Sequence, residues 1–324
     1  MIRRLIAAFA LALLAQLASA ADVPDGWKRA WPQTDFSRIS VDPAEIFSGG
    51  PPKDGIPAIT GPEMIDVSAE DALDPREPMM VLELDGQPAR AYPVRYLMWH
   101  EIVNDQAGEV PVAVTFCPLC NSGLIFDRRL GDQVLEFGVT GMLRFSDMVM
   151  FDRQTESWWQ QFQGRAIIGA LLGAELTPLP ALLESWAGYL ARNPDGLVMA
   201  EPGGYRRDYG ANPYAGYDSG RPFLYQGEMP PHGIDPVARV VRVADRAWPL
   251  VRLSETGEIT EAGYRLSWAK GQASALDTRA IGAGREVGDV RVYDAATGDL
   301  VVHEVVFAFA FHAFEPDGIW MLGE

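Results

Sequence analysis

M-M-V-L-E-L (79–84), D-G (85–86) and A-R-A-Y-P-V-R-Y-L (89–97) decide how the chain is read. An apolar run that alternates into Asp85-Gly86, followed by Ala89-Arg-Ala-Tyr92, predicts a β-hairpin. Pro93 then opens a short helical pattern through Val94, Leu97 and Met98 to His100, because its fixed φ suits the first helical turn. The order returns later: A-W-P-L-V-R-L (247–253) follows a second hairpin. Three further stretches match in sequence order: 123–127 with 273–277, 150–156 with 292–298, and 186–196 with 308–318. We therefore expect an α+β, β-rich fold of two similar tandem units, an internal duplication with antiparallel strands and short helices. The first unit spans 78–200 and the degenerate second 236–324. A Pro/Gly-rich segment (21–77) precedes them, and a Tyr/Gly/Pro-rich linker (201–235) joins them.

Within this frame Val110–Phe116 reads as a buried strand, and 123–127, 134–139, 148–151 and 197–199 as further strands. Leu182–Arg192 reads as an amphipathic helix. Ser48–Pro57 must be a loop, since three glycines and three prolines in ten residues exclude helix and central strand.

The chain of 324 residues opens with M-I-R-R, has no charged residue from Leu5 to Ala21, and carries Ala18-Ser19-Ala20. This predicts a secretory signal peptide over 1–20 with cleavage near Ala20, and so a periplasmic or secreted protein. Two of the 27 basic residues leave with the leader, so 25 face 44 acidic ones, a net charge of −19. That balance argues against nucleic acid as a partner, because phosphate-binding surfaces need clustered Lys and Arg. No later apolar run is long enough for a stable membrane span in the mature chain. Two cysteines cannot staple a chain of this size, so stability must come from an ordinary core.

Both cysteines fall in F-C-P-L-C (116–120), close after W-H-E-I-V-N-D (99–105), which holds one of four histidines. Carried without gaps from the 127/277 match, Cys117 corresponds to Ser267 and Cys120 to Lys270. The second unit lacks W-H-E-I-V-N-D and G-M-L-R-F-S-D (141–147) altogether. Chemistry therefore belongs to the first unit, whereas Asp127, Asp152 and Thr155 have partners and read as turn caps. His312, paired with Leu190 on a helix, reads as a packing residue, and His303 and His232 as surface.

Together with G-G-P-P-K-D-G-I-P (49–57), D-P-R-E-P (74–78) and D-Y-G-A-N-P-Y-A-G-Y-D (208–218), these motifs resemble a bacterial family catalogued only as domain of unknown function 3179. The resemblance spans nearly the whole mature chain and implies membership without an activity. It also implies that Cys117 matters more than Cys120, since relatives often keep the first cysteine while the second is replaced.

Cys-Pro-Leu-Cys supports three chemistries. As a metal knuckle, Cys117 and Cys120 would bind one ion with His100 as third ligand, and soft thiolates with imidazole suit Cu or Zn. Met142, Met148 and Met150 could add thioether to copper. As a nucleophile or redox thiol, Cys117 would act with His100 as base, Asn104 or Asp105 orienting, and Arg144 fixing an anionic substrate. A redox pair needs the first cysteine at a helix N-terminus, which the β-type run after Cys120 opposes. Outside these three chemistries stands a non-catalytic periplasmic binding or scaffold protein. The partner expected is a metal ion or an unknown small molecule, and whether the protein is an enzyme is left open.

Overall fold

Pro78–Leu82 pairs antiparallel with Arg90–Pro93, and the helix Val94–His100 follows at once. The computed structural model describes residues 23–323, so the expected signal peptide lies outside the described residues. Every residue of Pro78–Leu82 is buried. That accounts for its consecutive apolar residues, as a strand covered on both faces has no polar side. It lies inside a five-stranded sheet whose order is 181–185, 78–82, 90–93, 197–199, 64–66.

Two further five-stranded sheets carry the centre of the molecule. One orders 177–179, 122–127, 110–117, 102–107, 59–60, and the other 46–48, 137–144, 147–152, 158–160, 165–168. Phe116, Phe126, Phe137, Trp159 and Phe162 pack in the core between them. Asn104 splices the two sheets: its amide donates to the Phe137 carbonyl (2.8 Å) and its Oδ1 accepts from the Phe137 N–H (2.9 Å). Beyond residue 238 come a four-stranded sheet (304–307, 239–243, 246–249, 319–320) and a three-stranded one (258–261, 264–269, 289–294).

The protein is thus β-rich with few, short helices, none of the described α-helices exceeding seven residues. The sheets are mixed rather than purely antiparallel: 197–199 runs parallel to 90–93, 59–60 to 102–107, and 319–320 to 246–249. The helix expected over 182–192 is shorter. Ala181–Ser185 is a strand paired with Pro78–Leu82, and the helix begins at Trp186, where the Ser185 hydroxyl caps the Gly188 N–H (3.1 Å). Cross-strand pairing overrides the helical pattern there. Ala273–Asp277 forms no strand, unlike 122–127. His303 is 8 % exposed, with its ring bonded to the Val301 carbonyl, and is therefore a buried rather than a surface residue. No described helix is long and apolar enough to cross a membrane.

Candidate metal centre

The strand Val110–Cys117 and its return Ser122–Asp127 are joined by Pro118-Leu119-Cys120-Asn121. Pro118 sits where a type I turn wants proline, and the Cys120 N–H closes the turn on the Cys117 carbonyl (3.2 Å). Asn121 follows at φ 51°, a left-handed conformation that asparagine tolerates better than most residues. The turn brings the two Sγ atoms within 4.8 Å of each other, and both cysteines are free and buried.

The third member arrives from another sheet. Phe137–Arg144 and Asp147–Asp152 form a hairpin in which Arg144 pairs with Asp147. Phe145 (φ 52°) and Ser146 (φ 65°) make the two-residue turn. Such turns favour Asn-Gly, so two ordinary side chains at positive φ store roughly 1–3 kcal/mol each. Packing holds them: Phe145 lies against Phe314 and Tyr225, and the fully buried Ser146 hydroxyl donates to the Phe223 carbonyl. The Cys117 thiol faces the Ser146 carbonyl (3.8 Å). A carboxylate oxygen of Asp147 thereby lies within 4.8 Å of both sulfurs.

Asp147 is fully buried. Its Oδ2 accepts from Gln160 (2.6 Å) and from the Phe162 N–H (3.0 Å), whereas its Oδ1 has no hydrogen-bond partner. Glu101, the residue after the helix Val94–His100, is turned by its own positive φ (59°) and is also buried. Burial pushes Asp147 up to about 7, and burial with the nearby Asp147 charge pushes Glu101 up to about 8. Burial raises the Cys117 thiol and raises Cys120 still further. The chief influences on these four acids are burial, polar hydrogen bonds, one another and, on Asp147, the charge of Glu304. Burial therefore shifts all four toward their protonated forms.

Beside the cluster is a cavity of about 480 Å³, walled by Leu119, Met142, Met148, Tyr214, Tyr217 and Phe223 among others, with Glu101 also in its lining. The 201–235 segment, expected as a linker, forms much of this wall. The proline-glycine loop contributes Gly49, Pro51 and Ile56. That loop approaches so closely that a Cβ on Gly141 (φ 75°) would lie 1.9 Å from the Pro51 carbonyl oxygen.

The other sequence candidates lie differently. His100 is fully buried with both ring nitrogens engaged, Nδ1 with the Pro57 carbonyl (2.7 Å) and Nε2 with the Tyr209 hydroxyl (2.7 Å). It is not a member of the 4.8 Å group, whose third place is taken by Asp147. Arg144 donates to Glu45 (2.7 Å) and stacks over Phe145, so it is committed inside the protein rather than open to an anion. Asp105 pairs with Arg90 (2.8 Å) and Tyr92 (2.7 Å), and Asn104 is the sheet splice. Met142 and Met148 reach the cavity wall, while Met150 is buried in the core. Sequence reasoning named neither Asp147 nor Glu101.

A family model described as "Protein of unknown function (DUF3179)" matches residues 53–318. No curated protein and no solved structure matches the chain.

Proposed function

This chain belongs to that family, and from that premise we propose that Cys117, Cys120 and Asp147 form a metal-binding centre. The observation that carries the reading is the convergence of two buried thiols and a buried carboxylate within 4.8 Å, with Asp147 Oδ1 unpartnered. Two thiolates and one carboxylate suit zinc, leaving a fourth position for water or substrate. Copper would draw instead on the thioethers of Met142 and Met148. A zinc ion there would supply a Lewis acid. Of the chain's own groups, Glu101 would hold or pass a proton, and the Tyr214–Tyr217 wall would limit water. Export, expected from residues 1–20, would put the thiols in an oxidising compartment, where a bound ion protects them from closing to a disulfide.

We further infer that the two halves are duplicated units. Support comes from the order 181–185, 78–82, 90–93, 197–199, which corresponds strand for strand to 304–307, 239–243, 246–249, 319–320. The last pair in each is parallel, and a helix follows the first strand of each. Cys117 pairs with Ser122 and Ala269 with Asp289, so taking Asp127 with Asp294 puts Cys117 opposite Ala269 rather than Ser267.

Thiol chemistry is the weaker alternative, because a nucleophile or redox donor needs thiolate and burial raises both thiols. Metal analysis of the purified protein separates the readings. We expect about one equivalent of zinc, lost in Cys117→Ser and Asp147→Asn. Protein that is metal-free and takes up neither zinc nor copper would overturn the metal reading, and rapid alkylation of Cys117 would favour the thiol one.

A further inference from the structure

We propose that the cavity beside the cysteines binds an uncharged, predominantly apolar small molecule that turns one hydrogen-bonding group toward Glu101. The metal reading bears only on what becomes of that molecule, because the cavity and its walls stand without an ion.

Volume and wall chemistry carry the inference. About 480 Å³ is the size of a small-molecule site, and its walls are aliphatic, thioether and aromatic: Leu119, Met142, Met148, Tyr214, Tyr217 and Phe223. Among the described residues that line it there is no Lys, Arg or His, so an anionic ligand would enter without a counter-charge. Glu101 is the one carboxyl in the wall, and among the described residues no side-chain hydrogen bond reaches it, which leaves it available to a ligand. The rim is apolar as well. Phe223 is 46 % exposed at the mouth, and Leu224 beside it is 38 % exposed at φ 49°. An exposed apolar rim leading into an apolar cavity matches a ligand that leaves water readily. Leu119, between the two cysteines, and Met148, next to Asp147, also line the cavity, so the cysteine cluster borders it.

A matched probe pair tests the class. N-phenyl-1-naphthylamine is uncharged, and 1-anilinonaphthalene-8-sulfonate adds a sulfonate to the same frame. Titrated into the full chain, with and without zinc, the neutral probe should bind saturably at one site and at least ~10-fold more tightly than the sulfonate. Glu101→Leu, which removes the hydrogen-bonding group the ligand faces, should weaken neutral-probe binding by roughly 3-fold or more. Photolabelling with benzophenone, another uncharged aromatic, should mark Met142 or Met148 and be competed by the neutral probe. No saturable neutral binding, equal or tighter sulfonate binding, or labelling confined to residues outside the cavity would each overturn the proposal. Neutral binding with no zinc uptake would leave it standing and remove the metal reading alone.

Discussion

Cys117 ends a strand of one sheet and Asp147 begins a strand of another, yet their ligand atoms lie within 4.8 Å. Nothing local links them. The Cys-Pro-Leu-Cys turn supplies two thiols at one point, and the strained Phe145-Ser146 turn carries a carboxylate to the same point. Strain of this kind survives only where surrounding packing fixes it. Four of the ten non-glycine residues at positive φ in the described chain (Glu101, Asn121, Phe145 and Ser146) are next to or part of this cluster.

Asp147→Asn keeps the shape of the side chain and removes its charge. Zinc affinity should fall by at least ~100-fold, the upper end of what loss of an outer-shell partner costs. Glu101→Gln should change it less than ~10-fold, since Glu101 stands outside the 4.8 Å group. Competition against a chromophoric chelator measures both, and equal losses would remove Asp147 from its special place.

His100→Ala should leave zinc affinity within ~2-fold, since the ring is bonded to Pro57 and Tyr209, and should cost roughly 1–3 kcal/mol of stability by removing the ring that joins the Pro57 carbonyl to the Tyr209 hydroxyl. Urea unfolding with parallel zinc titration checks this. Lost zinc binding in a chain of unchanged stability would return His100 to the ligand set.

Asp218 anchors the 201–235 segment to the C-terminal half. It pairs with Arg239 (3.1 Å), and Arg285 and Ser274 also bond it. Asp218→Asn should cost about 3–5 kcal/mol, because Arg239 would be left buried and unpaired. Burial alone would raise this carboxyl, but Ser274, Arg239 and Arg285 hold it below its ordinary value. A carboxyl bound more tightly as its anion stabilises the fold fully above its unfolded value of 3.8, and that contribution fades as pH falls through the lower folded value. Acid unfolding of the wild type should show this limb and the variant should lack it. Superimposable acid limbs would exclude the assignment.

Gly141→Ala places a methyl group on the Pro51 carbonyl and an alanine at φ 75°. We expect a loss of at least ~3 kcal/mol, strain and overlap combined. A thermal melt within a degree of wild type would mean that the 49–57 loop yields freely.

The β-rich architecture was legible because hairpin signals are local: Asp85-Gly86 turns the chain where it should, and Pro118 and Asn121 fit their turn. The strand at 181–185 was hidden because its pairing with 78–82 depends on residues a hundred positions away. The site was half legible. The cysteines lie three residues apart and declare themselves, whereas Asp147 reaches them only through the meeting of two sheets. His100 drew attention as a histidine, yet a backbone turn at the next residue sends Glu101 to the cavity and leaves His100 as a clasp for Tyr209. Where the helix 94–100 ends in Glu101, the helix 250–256 that follows the other hairpin ends in Gly257, also at positive φ, so the same turn carries a carboxyl in one place and no side chain in the other.

The Cys120 carbonyl accepts from the Phe307 N–H (2.9 Å), the Asn121 amide donates to the Val305 carbonyl (2.6 Å), and the Ser122 hydroxyl donates to Glu304 (2.5 Å). Three consecutive residues of the cysteine turn are thus stitched to a strand that bears no cysteine. Residues 304–307 act as a splint for the cysteine turn. A chain trimmed to the cysteine-bearing half would keep the two thiols and lose the three hydrogen bonds that hold their turn.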